Sequence, residues 1–193
     1  MSDKKILFID TLSTGNSIER CAIVEIGGIF SCGGAEGERF DFKFHPFFGA
    51  RIYDNALYAG GISRADICSY PDEKVSFRKM LEYFDTKIDV HDPKDKFYIA
   101  GFNAAAYDAA FLKELFRRCE SRQFRNYFQI QVIDLASIAA FVLMDERDSL
   151  PDFSLATVAS HFGIETQMSG GHDCMATAEL SRKLYNALKS KLR

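Results

Sequence analysis

Tryptophan is missing from this 193-residue chain, prolines number only four, and no two of its five cysteines form a Cys-x-x-Cys pair. Those cysteines, Cys21, Cys32, Cys68, Cys119 and Cys174, are unclustered and odd in number. That pattern argues against both a zinc site and a secreted disulfide framework, and it favours a reducing, cytoplasmic setting. No window approaches the roughly 20 apolar residues of a membrane span, so no membrane partner is expected. The polar start Met1-Ser2-Asp3-Lys4-Lys5 is not followed by a long apolar stretch, and no signal peptide is read there. Basic residues are not in excess either. A formal net charge of -3 gives no global attraction to a polyanion, so binding to nucleic acid would have to rest on a local patch.

What the chain does have is a large apolar supply. Hydrophobic residues make up 47%, and 18 phenylalanines carry most of the aromatic share. This is enough for one well-buried α/β domain over residues 1–193, and the length is too short for two ordinary domains.

The order of elements follows from periodicity. Residues 4–10 read as a buried strand and 20–31 as a second. In residues 38–45, Phe40, Phe42 and Phe44 alternate with polar neighbours, as in a half-buried third strand. A Gly-rich turn at Gly33-Gly34 joins the last two, and Pro46 closes this antiparallel meander. Residues 47–71 look mostly irregular, although Gly61-Ile62-Ser63 precedes an acidic helix start. A helix is expected over 72–87, a strand over 97–101, a helix over 108–122, a strand near 130–134 and a helix over 135–144. Residues 145–153 read as a charged loop, and helices are expected near 154–162 and 172–190. The expectation is a mixed five-stranded sheet with helices on both faces.

Three segments carry chemistry. Ile6-Leu7-Phe8-Ile9 delivers Asp10 into Thr11-Leu12-Ser13-Thr14-Gly15. Gly101-Phe102-Asn103 leads through Tyr107 to Asp108, and Gly170-Gly171-His172 leads to Thr177. Together these resemble the three motifs of the DEDDh family, the proofreading-type 3'-5' exonucleases of the ribonuclease H-like superfamily. The flanks resemble it too, at Val24-Glu25-Ile26-Gly27, Pro46, Gly61-Ile62-Ser63 and Ser154-Leu155.

The resemblance implies a ribonuclease H-like fold, with Asp10, Asp108 and His172 as catalytic residues. It makes Asp10 and Asp108 metal ligands, with Mg²⁺ or Mn²⁺ as the cofactor if the site is active. Two divalent cations about 3.5–4 Å apart serve phosphodiester hydrolysis, and such hard cations need several oxygen ligands. Two of the family's four carboxylates are absent here. Leu12 stands in place of a glutamate and Thr177 in place of an aspartate, so two of three ligands on the water-activating side are lost. His172, the family's general base, then has little to deprotonate. Glu19, Asp173 and Glu179 are the nearby acids, and none is a strong substitute.

Each residue also has an ordinary structural explanation. Asp10 would cap a turn, Asp108 would cap the helix starting near Ala109, and His172 would sit in a surface loop. Their joint order and spacing favour the site. By the same resemblance Thr11, Leu12, Ile62 and Asn103 would contact nucleic acid, with Tyr53 and Tyr58 nearby; Asn103 also suits a turn, and Ile62 the core. Asp134 looks structural. Arginines 117, 118, 122 and 125, and basic residues 182, 183, 189, 191 and 193, are candidate phosphate contacts, although such runs are usually solvated helix faces.

Two functions stay open. One is a domain that binds single-stranded DNA or RNA 3' ends with impaired catalysis. The other is an active exonuclease with a substitute ligand. A polymerase or other replication or repair partner is compatible with either.

Overall fold

The computed structural model describes residues 4–33, 37–166 and 172–192. Gly34, Gly170, Gly171 and Arg193 lie outside the described residues.

The five strands are β1 (Lys5–Ser13), β2 (Ile23–Cys32), β3 (Glu38–Lys43), β4 (Phe97–Gly101) and β5 (Ile133–Asp134). They form one sheet in the order β3-β2-β1-β4-β5. The meander β1-β2-β3 is antiparallel, whereas β4 joins β1 and β5 joins β4 in parallel. The helices are α1 (Asp54–Ala59), α2 (Arg64–Ser69), α3 (Glu73–Asp85), α4 (Asp108–Arg118), α5 (Phe124–Tyr127), α6 (Leu135–Val142), α7 (Leu155–His161) and α8 (Cys174–Lys191). A 3-10 turn spans Met144–Ser149.

Strand periodicity sorts the central strand's side chains between two layers. Leu7 and Ile9 join Phe77, Met80 and Phe84 of α3 and Phe111, Leu115 and Phe116 of α4. Ile6 and Phe8 face the other way and meet Ala178 and Met175 of α8. This is the expected mixed sheet with helices on both faces, and it gives successive residues of β1 different neighbours. A third cluster, Leu135, Ala139, Leu143, Val158, Leu184 and Leu188, binds α6, α7 and α8 together.

Several expected boundaries shift. β1 runs on to Ser13 because pairing with β2 continues past Asp10 to a bulge at Leu12/Ser13. Residues 47–71 hold two helices of six residues each, too short to show a helical period; Ser63 and Asp66 form a reciprocal capping box on α2. α4 ends at Arg118, and the chain turns through a left-handed Glu120 into α5. β5 has only two residues. α8 starts at Cys174, after its cap Asp173, so His172 lies in the lead-in to the helix. Among the described residues no helix is long and apolar enough to cross a membrane.

Candidate active site

The end of β1 sends alternate residues into the two layers, and each layer answers with a different partner. On the α4 side, the Thr11 hydroxyl donates to Asp108 Oδ1 at 2.7 Å. Asp108 is 4% exposed. Burial first, and then the negative charge of Asp10, push its carboxyl up to about 7 against the hydrogen bonds from Thr11. Asp108 does not cap α4: Tyr107 holds the cap position, and Asp108 is the first helical residue. The Tyr107 hydroxyl lies 2.6 Å from Ser13 Oγ, extending a polar seam along this side.

On the α8 side, Asp10 Oδ2 lies 2.5 Å from His172 Nε2. The hydrogen bond that Asp10 accepts from the ring raises the imidazole's proton affinity against the opposing effect of burial. The His172 backbone N–H donates to the Ala59 carbonyl at 2.8 Å, tying this lead-in to the end of α1.

Cys174, in the first turn of α8, completes a cluster. One ligand atom each from Asp10, His172 and Cys174 lie within 4.8 Å of one another. The helix comes this close because Gly27, paired with Asp10 across β1 and β2, has no side chain. A Cβ there would fall 2.7 Å from that of Cys174. Burial, Asp10's charge and a hydrogen bond to Asp10 hold the thiol protonated, well above its ordinary range.

Leu12 and Thr177, the positions where the resemblance expects carboxylates, are both buried. Leu12 is 7% exposed and packs with Val24, Leu57, Ile67 and Cys174. Gly60 leaves room for it: a Cβ at 60 would lie 2.4 Å from Leu12 Cδ2. Thr177, one turn beyond Cys174, is equally buried, and its Oγ1 has no hydrogen-bond partner. A pair of hard cations does not fit this donor set. Leucine offers no lone pair, and a buried hydroxyl offers no charge.

The other nearby acids are engaged elsewhere or face solvent. Asp173 caps α8 through the Met175 and Ala176 amides, Glu179 pairs with Arg182 at 2.8 Å, and Glu19 is exposed. Asp134 caps α6 and accepts from the Ala105 amide, so its role is structural.

Of the nucleic-acid candidates, Thr11 is committed to Asp108 and Leu12 is enclosed. Ile62 is partly buried against the Leu12 cluster. Asn103 is exposed and left-handed (φ 61°), and its carbonyl accepts from the Ala106 and Tyr107 amides, as a turn residue does. Tyr58 is 85% exposed and adjoins Ala59, the anchor of His172. Tyr53 is half exposed and covers Gly15. Among the basic residues, Arg117 pairs with Glu114 and Arg118 with Glu73. Arg122 and Arg125 instead line a surface groove with Lys113 and Phe124.

Sequence reading missed Cys174. Its only signal was its place two residues after His172, whereas Asp10 lies 164 positions away, and spacing alone cannot bring them together.

The exonuclease family model, RNase_T, matches residues 7–181. The chain belongs to the exonuclease family. No curated protein matches the sequence. Among solved structures, Escherichia coli exonuclease I with a dT13 oligonucleotide is 20% identical, with a TM-score of 0.77 over 97% of this chain and 41% of that one. A structure of exonuclease I described in terms of processivity gives 19% identity and a TM-score of 0.76, over 97% of this chain and 41% of the other. The zinc-bound form of the E. coli exonuclease I–ssDNA complex gives 20% and 0.76, again with 97% and 41% coverage. These likenesses establish the ribonuclease H-like exonuclease fold for this family member. The chain spans less than half the length of those proteins.

Proposed function

We propose that this exonuclease-family domain binds single-stranded nucleic-acid 3' ends and hydrolyses them poorly or not at all. The observation that carries the reading is the closure of the site around Leu12: the position that resembles a metal-ligand glutamate is packed between Val24, Leu57 and Gly60. Losing a water-activating cation forfeits several kcal/mol of barrier reduction, at about tenfold in rate per ~1.4 kcal/mol. The exposed Tyr58 ring beside the His172 anchor suits stacking of a terminal base, which tolerates any sequence. Neighbours solved with DNA oligonucleotides agree with a single-stranded substrate, and RNA is retained as an alternative. A cytoplasmic location and a polymerase or other replication or repair partner belong to the same proposal.

A second reading, an active Mg²⁺- or Mn²⁺-dependent exonuclease with a recruited ligand, is favoured by one observation. Asp10, Asp108 and His172 still converge, with Asp10 acting electrostatically on both the others. The test is digestion of 5'-labelled single-stranded DNA and RNA with either cation, beside Asp108→Ala and with gel-shift lanes. A retained shift without laddering is expected. Laddering from the 3' end that disappears in Asp108→Ala would establish the second reading, and absence of both signals would remove both.

A further inference from the structure

Where the hard-cation ligands are gone, a different donor set has gathered. We infer that Asp10, His172 and Cys174 form a three-donor site for a single borderline-soft divalent cation of the Zn²⁺ class. The site occupies the α8 side of β1, and its occupancy does not depend on whether the domain binds nucleic-acid ends.

Geometry carries the first part of the argument. A carboxylate oxygen, an imidazole nitrogen and a thiol sulfur lie within 4.8 Å of one another. Zinc bonds of about 2.0–2.3 Å in a tetrahedron place donors roughly 3.3–3.7 Å apart. Side-chain movement of about an ångström therefore closes the set. Each donor sits on a held piece of backbone. Asp10 lies inside the β1–β2 ladder, His172 is tied to Ala59, and Cys174 is seated over Gly27 in the first turn of α8.

Donor chemistry carries the second part. Oxygen, nitrogen and sulfur together suit zinc, whereas Mg²⁺ demands an oxygen shell. Three protein ligands leave the fourth position open, unlike the closed four-ligand structural sites.

Proton release balances the binding step. The Cys174 S–H bond breaks as Zn–S forms, and any proton on His172 Nε2 leaves to solvent as Zn–N forms, so binding weakens as pH falls.

The test uses the full chain, stripped with a chelator and titrated with Co²⁺ alone. Zinc is then added by competition against a chromophoric chelator, and a gel shift is run separately. Wild type and Cys68→Ser are expected to show the sulfur-to-cobalt charge-transfer band in the near ultraviolet. Zinc should displace the cobalt, and a large excess of Mg²⁺ should not. Cys174→Ser should lose the band and at least tenfold in zinc affinity. Should that variant fail to fold by circular dichroism, His172→Gln, at a half-exposed position, reads the same fall in zinc affinity. A missing band in wild type, a band that survives in Cys174→Ser, unchanged zinc affinity in His172→Gln, or displacement by Mg²⁺ would overturn the inference. The gel shift reports on end binding independently, so failure of one reading is distinguishable from failure of the other.

Discussion

The two sides of β1 begin alike and end differently. Toward α3 and α4, Leu7 and Ile9 enter an aromatic layer in which Phe84 contacts Phe40, Phe97, Tyr127 and Phe128. That side closes on the Thr11–Asp108 hydrogen bond. Toward α8, Ile6 and Phe8 meet a thinner layer, with Phe8 edge-on to Tyr185. That side ends on Asp10, Leu12, His172 and Cys174. The first side has kept its acid by burying it and satisfying it locally. The second gathers an oxygen, a nitrogen and a sulfur donor beside the apolar Leu12. Packing and chemistry have thus diverged within one strand, over a separation of two residues.

The largest way to break the comparison is Phe84→Ala. Removing a fully buried ring is expected to cost about 3–5 kcal/mol in urea unfolding. Cobalt binding by the remaining folded protein should be unchanged, because the α8 side does not share that layer.

Leu12→Glu attacks the other side. Loss of a buried leucine and burial of a carboxylate should destabilise by about 3 kcal/mol. Combined with Thr177→Asp, it should also restore Mg²⁺-dependent 3' laddering that neither single variant supports. A double variant with no laddering would mean that more than the two acids has been lost.

Asp108→Asn sharpens the α4 side. Folding raises this carboxyl toward about 7, so the native state holds its proton more tightly than the unfolded chain does. Its effect on stability is therefore absent below the ordinary carboxylate range, grows unfavourable as pH rises through about 4 to 7, and is constant above that. Wild type should lose about 1–3 kcal/mol relative to Asp108→Asn between pH 4 and pH 8, since each tenfold gain in proton affinity on folding corresponds to about 1.4 kcal/mol. His172 acts in the same direction at higher pH: stability from its raised affinity is complete below its unfolded value, near 6.5, and is lost as pH rises through the folded one. Parallel urea titrations of wild type and Asp108→Asn would separate the two windows.

The smallest effect is expected from Lys74→Ala. Its pair with Glu120, 3.5 Å apart on the α3 side, is exposed at both ends, and the change should be under about 1 kcal/mol, shrinking with added salt.

The sheet and its layers were legible because long apolar runs carry clear periods. Phe40, Phe42 and Phe44 announce β3, and Val75, Phe77, Met80, Leu81 and Phe84 announce α3. The six-residue helices between Asp54 and Ser69 were illegible as periods, since each has fewer than two turns. At the site, order and spacing singled out Asp10, Asp108 and His172 as candidates, and the fold brings Asp10 to His172. They did not reveal that Thr11 faces Asp108, which depends on where β1 stops alternating, nor that Cys174 faces Asp10, which depends on how closely α8 rides over Gly27. Asn103 was ambiguous because a turn residue and a ligand contact use the same polar side chain; its left-handed backbone accounts for the turn.

The contact between Leu12 and Gly60 ties the two positions together. The leucine branches occupy the volume that any β-carbon at 60 would need. Any larger residue at 60 would have to push those branches aside, and a carboxylate at 12 would enter a slot shaped and dried for a hydrocarbon. A single substitution at position 12 would meet a lowered melting point before it met a cation.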